Sequence, residues 1–139
     1  MDRSDCRKID LEFGLWDSIV RIYKSNLRES NVILESLGLT NAQADILLTI
    51  SISERLSQKE LADKLLVTKG NITQLLKKLE ETNLVERDRE WKTNYISLTD
   101  KGHEIVNKVK PILSNYQKRY FERLSNDEKK QLLQFLERI

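Results

Sequence analysis

Residues 57–80 read Ser57-Gln-Lys-Glu-Leu-Ala-Asp-Lys-Leu-Leu-Val-Thr-Lys-Gly-Asn-Ile-Thr-Gln-Leu-Leu-Lys-Lys-Leu-Glu80 and contain two helix-start signals. Ser57 and Glu60 are spaced as a capping box, and Thr68 is a simple N-cap, so the sequence predicts helices at about 58–66 and 69–82. The connection at residues 66–68, which begins at the last residue of the first helix, is so short that the second helix must cross the first steeply. The sequence therefore predicts a helix-turn-helix.

Each of these two helices has an apolar stripe at helical spacing. The stripes consist of Leu61, Ala62, Leu65 and Leu66 in the first helix and of Ile72, Leu75, Leu76 and Leu79 in the second. The opposite face of the second helix, free of carboxylates before Glu80, carries Gly70, Thr73, Gln74, Lys77 and Lys78. Hydroxyls and amides can read base edges while lysines neutralise phosphates, so this face suits the major groove of DNA. An ordinary solvated helix surface is the alternative.

Four more helices are predicted, at about 9–36, 41–53, 100–122 and 126–138, and capping signals mark the starts of the last three. Thr40–Gln43 and Ser125–Glu128 match capping boxes, and Thr99 is a simple N-cap. Asn83 lies where a left-handed residue would close the preceding helix. Pro111 falls within the fifth helix and is expected either to kink it or to lie near its start.

Only one strand-like region is predicted, between the fourth and fifth helices. Leu84–Arg87 can pair with Tyr95–Leu98 in a hairpin around a polar turn at Arg89–Asn94. Basic and acidic residues alternate along the first strand, so Arg87 and Arg89 would share one face and the acids the other. With Lys92 in the turn, this hairpin would form a wing with a basic edge. The predicted fold class is therefore α+β, mostly α: a winged helix-turn-helix between N- and C-terminal helices.

Length, composition and charge limit the classes of protein to which the chain can belong. A chain of 139 residues, 33% of them charged, suits one helical globule, and a net charge of +2 says little about partners. No apolar run is long enough to span a bilayer. Met1–Asp10 does not read as a signal peptide. A cytoplasmic protein with no membrane partner is expected.

The residue types needed for metal binding or catalysis are scarce. His103 is the only histidine and Cys6 the only cysteine, so the sequence predicts no metal site, no cofactor and no catalytic residue. The protein is therefore not expected to be an enzyme. Cys6 cannot form an internal disulfide and is interpreted as an inert thiol, with a redox sensor as the less favoured alternative.

Five segments of the chain resemble the MarR family of winged helix-turn-helix transcriptional regulators. They are Thr40-Asn-Ala-Gln-Ala-Asp-Ile-Leu47, Ser57-Gln-Lys-Glu-Leu-Ala-Asp-Lys-Leu65, Val67-Thr-Lys-Gly-Asn-Ile-Thr-Gln-Leu-Leu-Lys-Lys-Leu-Glu80, Asn83-Leu-Val-Glu-Arg87 and Leu98-Thr-Asp-Lys-Gly102. The resemblance implies a homodimer that binds a pseudo-palindromic operator on double-stranded DNA, as a repressor or, less often, an activator. It also implies a small lipophilic or phenolic effector, bound between the dimerisation and DNA-binding parts.

The resemblance also assigns candidate DNA-binding residues. The recognition helix would contribute Thr68, Lys69, Asn71, Thr73, Gln74, Lys77 and Lys78. Ser57 and Gln58 would begin the preceding helix, where free backbone N–H groups can hold a phosphate. In the wing, Glu90-Trp-Lys92 stands where the family has an acidic residue, a spacer and an arginine. Lys92 would thus replace the arginine that reaches the minor groove, in a wing shorter than is usual for the family.

The flanking helices are predicted to form the dimerisation region. Residues 1–36 and 101–139 would flank the DNA-binding region at 37–100, all within one compact domain. The candidate dimer contacts are Leu11, Leu15, Trp16, Leu113, Tyr116, Tyr120, Leu132, Leu133, Phe135, Leu136 and Ile139. Two alternatives stay open: these helices could pack only on their own winged domain, and the winged domain could bind a protein instead of DNA.

Overall fold

The computed structural model describes residues 10–139, which form an α+β fold, mostly helical. The helices are α1 (Leu11–Glu35), α2 (Asn41–Ser53), α3 (Gln58–Leu65), α4 (Lys69–Glu81), α5 (Asp100–Tyr120) and α6 (Asn126–Glu137). The strands are β1 (Arg55–Ser57), β2 (Val85–Glu90) and β3 (Thr93–Leu98). The predicted winged helix-turn-helix is confirmed, with α3 and α4 as its two helices and β2–β3 as its wing. Cys6, considered above as a thiol, lies outside the described residues.

The predicted helix starts are confirmed by their caps. Thr40 and Ser125 each form a complete capping box, in which the hydroxyl and the side chain three residues later both accept backbone N–H bonds. Ser57 forms only half of its box: its hydroxyl accepts from the Glu60 amide at 3.0 Å, and no return bond from Glu60 is present among the described residues. Asn83 is left-handed, with φ 60°, as predicted for a residue that closes α4.

The sheet differs from the predicted hairpin in two ways. Its strand order is β1-β3-β2, and both pairs are antiparallel. The prediction missed β1, because its three residues are too few to show alternation and only Leu56 is an apolar residue that it buries. The predicted turn at Arg89–Asn94 is wrong, because both strands continue to the Glu90–Thr93 pair and leave only residues 91–92 as the turn.

The core forms around α2, which packs against α1, α3, α4, α5 and the sheet. Its fully buried side chains are Leu34, Ile46, Leu47, Ile50, Leu61, Ile72, Leu76, Leu79 and Ile96. Leu66 was predicted to belong to the apolar stripe of α3, and this is wrong, because its side chain is 92% exposed. Leu66 has left-handed φ 55°, and its amide closes α3 by bonding to the carbonyls of Ala62 and Asp63. The backbone turn that starts the connection to α4 therefore points this side chain outward.

The long fifth helix is continuous through its proline. Pro111 lies well inside α5, so the second of its two expected positions, near a helix start, is wrong. The ring of Pro111 is exposed, on a helix that runs on to Tyr120. Among residues 10–139, no helix is both long and apolar enough to cross a membrane.

Candidate nucleic-acid interface

Helix α4 has one buried face and one exposed polar face. Ile72, Leu76 and Leu79 are fully buried in the core, which holds the helix in one orientation. The residues predicted for groove reading are all exposed: Thr68, Lys69, Gly70, Asn71, Thr73, Gln74, Lys77 and Lys78. Within residues 10–139, the side chains of Gln74, Lys77 and Lys78 form no hydrogen bond or ion pair with the protein. Their polar groups are therefore available to a ligand.

The start of α3 is tied to α4 by side chains. Gln58 Nε2 donates to Thr73 Oγ1 at 2.9 Å, and Thr73 Oγ1 in turn donates to the carbonyl of Lys69 at 2.8 Å. Gln58 Oε1 is buried and has no hydrogen-bond partner among the described residues. Ser57 is itself buried as the N-cap of α3. Ser57, Gln58 and Thr73 thus fix the position of α3 against α4, while the N-terminal amides of α3 stay near the polar face of α4.

The two faces of the wing carry opposite charges. Arg87 Nε lies 2.7 Å from Glu80 Oε1, which joins β2 to the last turn of α4. On the other face, Arg55 Nη2 lies 2.6 Å from Glu90 Oε1 and 3.7 Å from Asp88 Oδ2. The predicted alternation along β2 is therefore confirmed. The sequence does not predict the pairing of Arg87 with Glu80, because the two residues lie in different elements, one in β2 and the other at the end of α4.

Sequence reasoning also missed Arg55. Its guanidinium lies 3.8 Å from the centroid of the Tyr95 ring, in addition to its contacts with the acids of β2. Arg55 is in β1 and Tyr95 in β3, the central strand, so the arginine reaches across the sheet to β2. No sequence signal could have found this contact, because it depends on the strand order.

The tip of the wing is formed by Trp91 and Lys92. The Trp91 side chain is 87% exposed, and its backbone is left-handed with φ 55°. Lys92 Nζ lies 5.0 Å from the centroid of the indole ring. Arg89 Nε donates to the Trp91 carbonyl at 3.2 Å. An aromatic ring and two cations thus project together from the end of the hairpin.

The apolar residues of the terminal helices divide into two groups. Most of them are exposed: Leu11, Leu15, Trp16, Leu132, Leu133, Phe135, Leu136 and Ile139. Leu113, Tyr116 and Tyr120 instead pack inside this chain. Leu113 contacts the core, and Tyr120 Oη donates to the Ile22 carbonyl of α1 at 3.2 Å.

Tyr116 is the most deeply placed of the three, contrary to its expected position on an outer surface. Its hydroxyl lies 3.1 Å from the Asn26 carbonyl and 3.0 Å from Glu29 Oε2, both on α1. Burial, followed by the hydrogen bond and negative charge of Glu29, raises the pKa of Tyr116 to about 12. Tyr116 is therefore a link between α1 and α5 within one chain.

A cavity of about 610 Å³ lies between α1 and the helix-turn-helix. Its wall on α1 includes Lys24 and Arg28, and Asp45 of α2 also lines it. Partial burial raises the pKa of the Asp45 carboxyl. The remaining lining residues are Tyr23, Leu27, Asn31, Thr40, Asn41, Ala42, Ile46, Leu65, Val67 and Leu75. The volume is in the range of small-molecule sites, and Leu75 places one wall on α4 itself.

Comparison with known proteins places this architecture in a family. A family model described as the MarR family matches residues 37–90. A Bacillus cereus protein named as an uncharacterized HTH-type transcriptional regulator is 34% identical to this chain over 119 residues. The match covers 86% of this chain and 81% of that protein.

Two solved structures share the fold. A mutant MarR from E. coli complexed with operator DNA has a TM-score of 0.83 at 24% identity, with 89% of this chain and 91% of that chain covered. The organohalide-sensing transcriptional regulator RdhR in its 2,4-dichlorophenol-bound form has a TM-score of 0.82 at 20% identity, with 93% and 79% covered. From the family match and the 34% identity over most of both chains, this chain belongs to the MarR family, a family of HTH-type transcriptional regulators.

Proposed function

We propose that the protein regulates transcription by binding double-stranded DNA, with α4 in the major groove. The observation that carries this proposal is the polar face of α4, where Gln74, Lys77 and Lys78 have free polar groups on a helix locked by its buried face. An amide at this position can make a bidentate contact with adenine, and lysines can contact guanine or phosphates. The E. coli MarR structure of the same fold contains operator DNA, which supports this use of the fold.

The start of α3 supplies a second contact of a different kind. The first amides of a helix have no partner within it, and in α3 the Ser57 hydroxyl caps only that of Glu60. Such amides, together with the helix dipole, favour a phosphate group. Because Gln58 and Thr73 link α3 to α4, a phosphate held at α3 would set the depth and register of α4 in the groove.

We further propose that the protein acts as a homodimer on a pseudo-palindromic operator. Helix α6 has no buried residue, although it carries Leu132, Leu133, Phe135 and Leu136. The exposed apolar side chains of α1 add to this surface, and a second copy of the chain would cover both. A two-fold dimer presents two copies of α4 to half-sites about one helical turn apart.

The cavity between α1 and α4 supports regulation by a small molecule. Its lining is largely apolar, with cationic groups from α1, which suits a lipophilic or phenolic ligand. The related regulator RdhR has 2,4-dichlorophenol bound. A ligand there would touch both the proposed dimerisation helix and α4, and so would change the separation of the two recognition helices. We propose that the protein is a repressor released from its operator in this way.

Selection from a pool of random duplexes tests the DNA proposal. Sequencing of the retained fraction should reveal an inverted repeat, and affinity for it should fall steeply as salt rises. Gln74→Ala or Lys77→Ala should weaken binding by about 1–3 kcal/mol if the side chain contacts a base. Lys108→Ala, on the exposed surface of α5, is the matched control. No enrichment and negligible affinity at low salt would refute DNA binding and favour a protein-interaction module.

Sedimentation measurements test the dimer. Leu133→Glu places a charge in the apolar surface of α6 and should shift the protein from dimer to monomer, with its helical circular dichroism retained. Truncation after Ser125 should have the same effect. A chain that is monomeric before any substitution, or a dimer unaffected by both changes, would contradict the proposed interface.

Calorimetric titration with 2,4-dichlorophenol as probe tests the effector site. We expect binding to the wild-type protein and a lower affinity for the selected duplex in its presence. Ala42→Phe adds a ring at the exposed mouth of the cavity and should abolish ligand binding while DNA binding persists. A ligand response that survives Ala42→Phe would place the ligand elsewhere. A reporter gene fused to the selected operator then shows whether loss of the protein raises expression, as a repressor requires.

A further inference from the structure

The wing tip presents a tryptophan whose side chain is almost fully exposed. Trp91 is 87% exposed, whereas the other aromatic residue of the wing, Tyr95, is partly covered by Arg55. Within residues 10–139, its only aromatic or cation contact is with Lys92, the other residue of the turn. Single exposed apolar side chains are common on protein surfaces, so the case for a partner rests on the backbone at Trp91 and on the charges beside it.

The backbone at Trp91 makes the choice of residue more unusual. A left-handed residue in a two-residue hairpin turn is ordinarily glycine or asparagine, because a bulky side chain is strained there. Leu66 is strained in the same way, but its amide closes α3. The Trp91 turn needs only a left-handed backbone, which glycine would supply with less strain. The indole is thus unexplained by the fold, and such strain concentrates at functional positions.

The charges around Trp91 indicate the chemistry of the partner. Asp88 and Glu90 lie on the outer face of the wing, where Arg55 neutralises them. Arg89 shares the opposite face with Arg87, and Arg87 contacts Glu80 of α4. This is the face of the wing that is directed toward α4. Within the described residues, Arg89 and Lys92 have no carboxylate partner, so the tip is cationic on that side.

We propose that Trp91 is a DNA contact of the wing: its indole packs against sugar and base edges in the minor groove, beside the segment of major groove that α4 occupies. Lys92 then reaches an adjacent phosphate. This inference rests on the proposed binding of duplex DNA by α4. Minor-groove binders use apolar side chains as wedges at base steps, and an aromatic ring stacked on a base contributes affinity without neutralising a phosphate.

Binding isotherms over a salt series test the proposal, with the duplex recovered from the random pool as probe. Trp91→Gly removes the ring and relieves the backbone, so affinity should fall by roughly 10-fold while Tm stays the same or rises. Trp91→Phe keeps an aromatic ring and should lose less. The slope of log affinity against log salt should be unchanged by Trp91→Gly and should become shallower by about one with Lys92→Ala. Ile52→Ala, another exposed apolar side chain, is the matched control and should change nothing.

A direct readout comes from acrylamide quenching of tryptophan fluorescence. DNA should reduce quenching in the wild-type protein, and this protection should disappear in Trp91→Phe, which retains only Trp16. Equal affinity of wild type and Trp91→Gly, or no protection of the wild type, would overturn the wing contact while leaving binding by α4 intact. A wild-type protein that binds no duplex would instead refute the proposed function. Protection by anionic phospholipid vesicles and not by the duplex would overturn the proposal in favour of a membrane.

Discussion

Arg87 and Glu80 form an ion pair, with Nε and Oε1 2.7 Å apart, that joins the wing to the end of α4. Both side chains are about one-third exposed, so the pair contributes little to stability, less than about 1 kcal/mol. Its larger effect is on charge. Glu80 places a carboxylate beside the proposed DNA surface and occupies an arginine that would otherwise be free to meet a phosphate.

Glu80→Gln should therefore strengthen DNA binding. Removal of one negative charge and release of Arg87 should raise affinity by about 3-fold at low salt, and the gain should shrink as salt screens the charges. Fluorescence anisotropy at two salt concentrations measures this. Glu104→Gln, an exposed carboxylate on α5, is the control. Unchanged or weaker binding by Glu80→Gln would show that the pair is needed to position the wing.

Gly102→Ala should destabilise the fold strongly. A Cβ on Gly102 would overlap the carbonyl oxygen of Leu84, and this backbone atom also accepts the amide of Thr99. Either α5 or the start of β2 must shift, and we expect a loss of about 2–4 kcal/mol in the free energy of unfolding.

Gly14→Ala provides the matched control for Gly102→Ala. Gly14 lies in α1 with no atom near its added Cβ, so this change should stabilise the helix by about 0.5–1 kcal/mol. Urea denaturation of both variants gives the comparison. Similar midpoints for Gly102→Ala and the wild type would contradict the close approach of α5 to Leu84.

Tyr116→Phe should lower stability and flatten its dependence on alkaline pH. Loss of the hydroxyl removes the bonds to Asn26 and Glu29, at about 1 kcal/mol. In the wild type the pKa of Tyr116 is about 12 in the folded state, above the ordinary value of 10.0. The folded state therefore holds the hydroxyl proton to a higher pH than the unfolded state does. Stability from this group is present below pH 10 and is lost as pH rises toward 12.

Denaturation between pH 7 and 11 checks the effect of Tyr116→Phe. The variant should be less stable at neutral pH, and its deficit should narrow as pH rises above 10. Tyr23→Phe, at an exposed tyrosine, should follow the wild-type curve. A constant deficit over the whole range would show that burial of Tyr116 does not favour its protonated form.

Asp45→Asn should be more stable than the wild type at neutral pH. Because partial burial raises the pKa of Asp45 above 3.8, the folded state binds this proton more tightly than the unfolded state does. The contribution of Asp45 therefore becomes less favourable as pH rises through the range above 3.8 and is least favourable once the folded group is ionised. Thermal unfolding at pH 7 should give a higher Tm for Asp45→Asn than for the wild type, and this difference in Tm should shrink at pH 4. An equal difference in Tm at the two pH values would contradict the raised pKa of Asp45.

The helices could be predicted well because their signals are local. The caps at Thr40, Thr68 and Ser125 join groups three residues apart, and the buried stripe of α4 repeats every three to four residues. The exposed polar face of α4 followed from that stripe, since residues opposite a buried face are directed outward. Leu66 broke this rule, because a left-handed residue changes the direction of the side chain.

Other features depend on partners that are not neighbours in the chain. Strand β1 exists because β3 pairs with it, and Arg55 reaches Glu90 only because β3 lies between their strands. The sequence predicts Tyr116 as a dimer contact, whereas the crossing of α1 and α5 buries it within one chain. Trp91 is likewise exposed because β2 and β3 pair as far as Glu90 and Thr93, which leaves Trp91 in a two-residue turn.

The sequence alone thus determined where most helices begin and which face of α4 is polar, because each depends on residue types at short, regular spacings, and its five segments resemble the MarR family. Tertiary structure alone decided which cations are free for a ligand, which apolar residues are left uncovered, and where a cavity opens between α1 and α4. These depend on the packing of distant segments, where one carboxylate or one crossing helix changes the role of a side chain that local pattern cannot distinguish from its neighbours.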